Sequence, residues 1–118
     1  MSSWASISAS DYGRLGERAA AWLLRLHGYR IVGRRRRVAG FEIDIVARRG
    51  GLLVVCEVKA RRSVRRGTPL EAVDARRQAS MRRAAEMLAA TDPTVRRVRF
   101  DVVAVDGVRM RHVRGAFM

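Results

Sequence analysis

The spacing of hydrophobic and polar positions along this chain changes period several times, and each change marks an element. From Asp11 to His27, the residues Leu15, Ala19, Trp22, Leu23 and Leu26 recur at helical spacing. Gly28 then stands where the residue after a helix needs positive φ. Three extended runs follow, YRIVGRRRR, FEIDIVARR and LLVVCEVKA, the last two joined by Gly50-Gly51 as a two-residue hairpin. ARRSVRRG reads as a basic loop. TPLE at Thr68–Glu71 has the form of a capping box with Pro69 at the first helical position. The helix it predicts carries Leu70, Val73, Met81, Ala84, Ala85 and Leu88 on one side and ends before Asp92-Pro93. VRFDVVAV and, after Gly107, VRMRHV read as a fourth and a fifth strand. The connection through the second helix is long enough for a parallel crossover, so the order α-β-β-β-α-β-β predicts a mixed sheet.

Residues 1–10 are small and polar and predict a flexible N-terminus, with 11–118 forming a single α/β domain free of repeats and linkers. Cys56 is the single cysteine, which leaves no internal disulfide and no ligand set for a zinc cluster. The opening MSSWASISAS has neither a basic nor an apolar targeting region, and no apolar run approaches the roughly 18 residues of a membrane span. The expectation is a cytoplasmic protein with no membrane partner.

Charge narrows the class of partner. Twenty-five basic residues against 11 acidic ones give a net charge of +14. Such a surplus predicts a polyanionic partner, nucleic acid before an anionic membrane. Twenty-four of the basic residues are arginine, and Lys59 is the single lysine.

The surroundings of Lys59 give that exception a chemical meaning. Strand alternation puts Glu42 and Asp44 on one face of the second strand, with Ile43 and Ile45 on the other. Glu57 and Lys59 share a face of the third strand, with Val58 opposite. Counted outwards from Gly50-Gly51, Asp44 and Glu57 fall at comparable distances and so converge. Two carboxylates on adjacent strands form a hard-oxygen site suited to Mg²⁺. A neighbouring ammonium can orient a metal-bound water and offset charge on a phosphorane, a task for which a planar, permanently charged guanidinium is poorly shaped. The competing reading makes Glu57 and Lys59 ordinary exposed residues of a solvated sheet face, paired with arginines.

The segments GERAAAWLLRLHGYRIV, FEIDIVA, EVKAR, GTPLEAV and RFDVVAV, in this order from about Gly13 to Gly107, resemble the YraN family of small bacterial endonuclease-like proteins. That family is similar in turn to Holliday-junction resolvases and PD-(D/E)xK nucleases. The resemblance implies a restriction-endonuclease-like core, αβββαβ, with a mixed central sheet flanked by helices. It implies an Mg²⁺-dependent DNA endonuclease, with Mn²⁺ as a substitute, acting on duplex or branched DNA. Asp44 and Glu57 become the metal carboxylates, the main-chain carbonyl of Val58 completes the shell, and Lys59 is the catalytic lysine. Glu17 matches a further helix acid of resolvase-like members; alternatively it pairs with Arg14 three residues back. Arg77 and Gln78 stand where related nucleases place polar support near the scissile phosphate. Because resolvase-like relatives cut two strands as dimers, a homodimer is expected.

Ile43 precedes Asp44 where the nuclease pattern has proline, and Phe41 replaces a glycine before the EID, which implies an altered turn. Glu42 is open between a supporting acid and an ion-pair partner for the first strand. Arg34, Arg35, Arg36 and Arg37, with Arg48-Arg49, Arg61, Arg62, Arg65 and Arg66, flank the strands that carry the site. They are expected to hold phosphates without reading sequence. The alternative function is a non-catalytic nucleic-acid-binding protein that retains the nuclease fold.

Overall fold

A computed structural model describes residues 9–61 and 73–118. Its elements are α1 (Ala9–Leu26), β1 (Arg30–Val38), β2 (Phe41–Arg49), β3 (Leu52–Arg61), α2 (Ala75–Ala90), β4 (Arg97–Asp106) and β5 (Arg109–Phe117). The five strands form one mixed sheet in sequence order. β3 and β4 pair in parallel, and every other neighbouring pair is antiparallel. The crossover through α2 makes that single parallel pairing, as the length of the connection predicts.

One helix covers each face. On the α1 side, Ala20, Ala21 and Leu24 pack with Ile45, Ala47, Val54, Cys56 and Val103. On the other side, Met81, Ala84, Ala85 and Leu88 of α2 pack with Ile43, Val46, Val55 and Val102. Gly28 has φ of 90° and closes α1, as its position predicts. Arg49 and Leu52 are partners across Gly50-Gly51.

Three sequence expectations fail here, each for a physical reason. The buried stripe of α1 is Tyr12, Gly16, Glu17, Ala20, Ala21 and Leu24, while Leu15, Trp22 and Leu26 are exposed. Small residues face the sheet because the helix lies very close to it: a Cβ on Gly16 would sit 2.7 Å from Cβ of Ala60. The second helix begins at Ala75, where the Asp74 carboxylate caps it by accepting from the Arg77 amide at 2.9 Å. Val73 is therefore buried ahead of the helix, and the Thr68–Glu71 box and Leu70 lie outside the described residues. Finally, Ile43 and Ile45 do not share a face, since Ile43 belongs to the α2-side cluster and Ile45 to the α1-side cluster. β2 turns over between them, at Asp44.

The expected N-terminal boundary also shifts, with α1 already formed at Ala9 and residues 1–8 outside the described set. No helix among the described residues is long and apolar enough to cross a membrane.

Candidate functional site

The turnover in β2 is what builds the site. The β2–β3 ladder runs from Arg49 and Leu52 to Ile45 and Cys56, the last recorded pair. On the other side, β1 pairs Arg34 with Ile45 and Arg36 with Ile43, and the intervening Arg35 takes the left-handed conformation with φ of 51°. Beyond the ladder's end the Asp44 carboxylate stands in for a main-chain rung, its Oδ2 accepting from the Val58 amide at 2.7 Å. Carboxylates then reach this opening from both faces of the sheet.

Glu57 comes from β3 on the α2 side and is only 2% exposed. The Arg77 guanidinium grips it twice, Nε to Oε2 at 2.6 Å and Nη2 to Oε1 at 3.0 Å. Lys59 Nζ lies 3.7 Å from Oε2 of the same carboxylate. Glu17 comes from α1 and is also buried, with Oε1 accepting from Arg34 Nη2 at 3.0 Å and Arg35 Nε at 3.1 Å. Its partners are thus the arginines of β1 rather than Arg14. Against the competing reading Glu57 is buried rather than solvated, but it is paired with an arginine as that reading expects, and Lys59 is one-third exposed beside it.

Electrostatics report the crowding. Burial, and after it the Glu57 carboxylate, push the Asp44 carboxyl up to about 7, with Glu17 adding in the same direction. The Val58 amide and Arg77 pull the other way without prevailing. In return, the hydrogen bond and charge of Glu57 raise the Arg77 guanidinium. Three acids therefore share one electrostatic environment at the end of the β2–β3 ladder, with one ammonium and three guanidinium groups around them.

That donor set is of the hard-oxygen kind that binds Mg²⁺ or Mn²⁺. In the arrangement seen here, no group of three or more His, Cys, Asp or Glu among the described residues is drawn together enough to hold a metal ion. The cations that occupy the carboxylates are side chains: Arg77 and Lys59 on Glu57, Arg34 and Arg35 on Glu17. Arg77 is itself held by Phe41, with the guanidinium carbon 4.9 Å from the ring centroid. The unexpected phenylalanine before the EID therefore has a use, and the turn it follows is tight, with Ala39 and Gly40 both at positive φ.

Other expected site residues are dispersed. Gln78 donates to the Val73 carbonyl at 3.0 Å and accepts from Arg82, so it holds the start of α2. Arg36 and Arg37 are exposed on β1, and Glu42 is an exposed register partner of Arg37. Arg48 and Arg49 are structural: Arg48 bonds Asp92 at 2.9 Å, and Arg49 covers the Tyr29 ring at 4.4 Å and donates to the His27 carbonyl. The backbone of Arg61 ends β3, while Arg62, Arg65 and Arg66 lie outside the described residues.

One buried polar cluster has no counterpart in the sequence reading. Asp101 is fully buried on β4 and accepts from Arg99 at 2.8 Å twice, His112 Nε2 at 2.7 Å and the Gly115 amide at 3.1 Å. Burial raises its carboxyl, but the bonds from His112, Arg99 and Gly115 outweigh that and hold it below its ordinary value. It fastens edge strand β5 across the register irregularity between Phe100 and Val102. An acid inside the otherwise apolar FDVVAV run was the available signal.

Comparison with known proteins matches residues 16–105 to the model of uncharacterised protein family UPF0102. A UPF0102 protein of Acidothermus cellulolyticus is 45% identical over 121 residues, covering 89% of this chain and 92% of that protein. One from Symbiobacterium thermophilum is 46% identical, covering 89% and 94%. One from Kineococcus radiotolerans is 50% identical over 95 residues, covering 79% and 78%.

Proposed function

The chain belongs to protein family UPF0102, and from the chemistry of its site we propose that it is a divalent-metal-dependent endonuclease acting on duplex or branched DNA. The observation that carries the proposal is that Asp44, where the β2–β3 ladder ends, lies within the electrostatic reach of Glu57 and Glu17, with the single lysine 3.7 Å from Glu57. A restriction-endonuclease-like core is the fold this reading entails, and the mixed sheet with a helix on each face supports it.

In this mechanism Asp44, Glu57, Glu17 and the Val58 carbonyl would hold Mg²⁺ or Mn²⁺. When bound, the metal lowers the pKa of a water and neutralises charge on the scissile phosphate. Lys59 would orient the attacking water through its ammonium and offset the negative charge that builds on the phosphate oxygens. Arg77, Arg34 and Arg35 leave the carboxylates they neutralise and turn to phosphate oxygens, for which the guanidinium fork is equally shaped.

A second reading, a nucleic-acid-binding protein without turnover, is favoured by one observation: the arginines already satisfy Glu57 and Glu17. Labelled duplex, flap and four-way-junction DNA, incubated with Mg²⁺ or Mn²⁺, separates the two. Metal-dependent cleavage is expected, lost in Asp44→Ala, Glu57→Ala and Lys59→Ala, while DNA binding stays within about threefold, since phosphate contacts carry most of the affinity. Cleavage that survives all three substitutions sinks the site assignment. Binding by every variant without cleavage under either metal selects the second reading.

A further inference from the structure

A cavity lies on the α2 face, near the C-terminal end of that helix. β1 and β2 change register between Ile31 and Gly33, and the missing side chain at Gly33 lets Arg36 lie across the strand. A Cβ there would meet Arg36 Cδ at 3.2 Å. The cavity lies between this part of β1 and the end of α2 and measures about 250 Å³. Val46, Leu53 and Leu88 supply its apolar lining, and Arg30, Arg36 and Arg48 its positive charge.

Arg48 is the built part of this site. Its side chain is only 10% exposed, and its terminal nitrogens are engaged: Nη1 with Asp92 at 2.9 Å, Nη2 with the Gly50 carbonyl at 2.8 Å and Thr94 Oγ1 at 3.1 Å. Its Nε–H, however, is buried without a hydrogen-bond partner. A buried donor on a charged group is costly to leave unmade; solvent does not reach this one in the arrangement seen here, but Arg48 lines the cavity, so a small shift of its side chain would bring the donor to an acceptor bound there. Arg30, the register partner of Arg48 across the β1–β2 ladder, and Arg36 are exposed and make no ion pair among the described residues. Asp92 is the single acid in the lining, and Arg48 already neutralises it.

Three guanidinium groups around a pocket smaller than a drug-sized site fit one tetrahedral oxyanion with a short attachment. We propose that this cavity is a phosphate-binding site that anchors the backbone of a polynucleotide, the polynucleotide half resting on the function proposed above. Arg48 and Asp44 lie four residues apart on β2, about 13 Å at roughly 3.3 Å per residue. At about 3.4 Å per nucleotide of a duplex strand, the anchored phosphate stands about four nucleotides from the acid cluster.

The test is a metal-free titration followed by the arginine Nε–H resonances in proton–nitrogen NMR spectra. Inorganic phosphate, added at constant ionic strength against a chloride control, should shift the Arg48 Nε–H signal and slow its exchange with water. A short DNA duplex should move the same signal. Because Arg48 also ties Asp92 and Thr94 to the sheet, the variant used is Arg30→Ala with Arg36→Ala, both on the surface. This pair should weaken phosphate binding by about tenfold or more, while Arg109→Ala with Arg111→Ala on β5 leaves it unchanged. No phosphate-dependent shift, or an equal one in the Arg30/Arg36 variant, overturns the site. A response to inorganic phosphate but not to duplex overturns the backbone assignment and gives the cavity to a small phosphate compound. Since no metal is present, loss of the nuclease reading leaves these results standing.

Discussion

Asp44 carries the clearest consequence at the scale of one residue. Its carboxyl titrates near 4 in an unfolded chain and near 7 in the fold, raised by burial first and by Glu57 second. Between those values the folded state holds the extra proton, so stability falls as pH rises from about 4 to 7 and levels off above. Asp101 has the opposite sign: its depressed carboxyl stabilises the fold above about pH 4, and that contribution is lost as pH falls further. Urea unfolding followed from pH 4.5 to 8 should show the Asp44 decline, on the order of a few kcal/mol at about 1.4 kcal/mol per pKa unit. Asp44→Asn should flatten the curve over this window and leave the acid limb below pH 4 in place. An unchanged decline in the variant would mean that Asp44 is not the group held protonated. Mg²⁺ should raise the midpoint at pH 8 and have little effect at pH 5, where the acid it would bind carries its proton.

At the scale of elements, the close seat of α1 is the feature that positions Glu17. Gly16 leaves no room between helix and β3, so the acid next to it is carried into the sheet opening rather than held above it. Gly16→Val should overpack this contact and cost about 1–3 kcal/mol, whereas Leu15→Ala on the outer face should cost less than about 0.5 kcal/mol. Chemical denaturation of the two variants reads the difference, and equal costs would contradict the orientation of α1. A helical period was visible in the chain, but the larger residues Leu15, Trp22 and Leu26 drew the buried face to the wrong side. Closeness of approach is decided by small residues, and Gly16, Ala20 and Ala21 have no bulk to draw attention. Strands β2 and β3 were readable because apolar runs and Gly50-Gly51 fix them locally. The turnover at Asp44 was not, since it depends on Arg35 across the sheet and on where a ladder ends. Convergence of Asp44 and Glu57 followed from hairpin counting alone; the arginines that close on Glu57 and Glu17 come from α2 and β1, out of reach of any local pattern.

At the scale of the whole molecule, charge is divided between internal and external work. In the arrangement seen here Arg34, Arg35, Arg77 and Arg99 pair with the buried acids Glu17, Glu57 and Asp101, and Arg48 with the partly exposed Asp92. Among the residues whose burial is described, the other arginines are exposed, in a chain whose net charge is +14. The molecule measures 49 × 29 × 22 Å, and its long axis matches about 14 base pairs at roughly 3.4 Å each. That length is ample for six phosphate contacts, the lower end of what this surplus suggests. Each neutralised phosphate contributes about −0.9 to the slope of log affinity against log salt, so a slope near −5 is expected for duplex DNA. Affinity should then fall about a thousandfold between 50 and 200 mM salt. Fluorescence anisotropy without metal, on Glu57→Gln beside the native chain, measures this apart from cleavage. The variant's slope should equal the native one or be steeper by up to about 0.9, because removing the Glu57 charge frees Arg77 for at most one further phosphate. A slope shallower than about −2, corresponding to two phosphates or fewer, would set the polyanion reading aside.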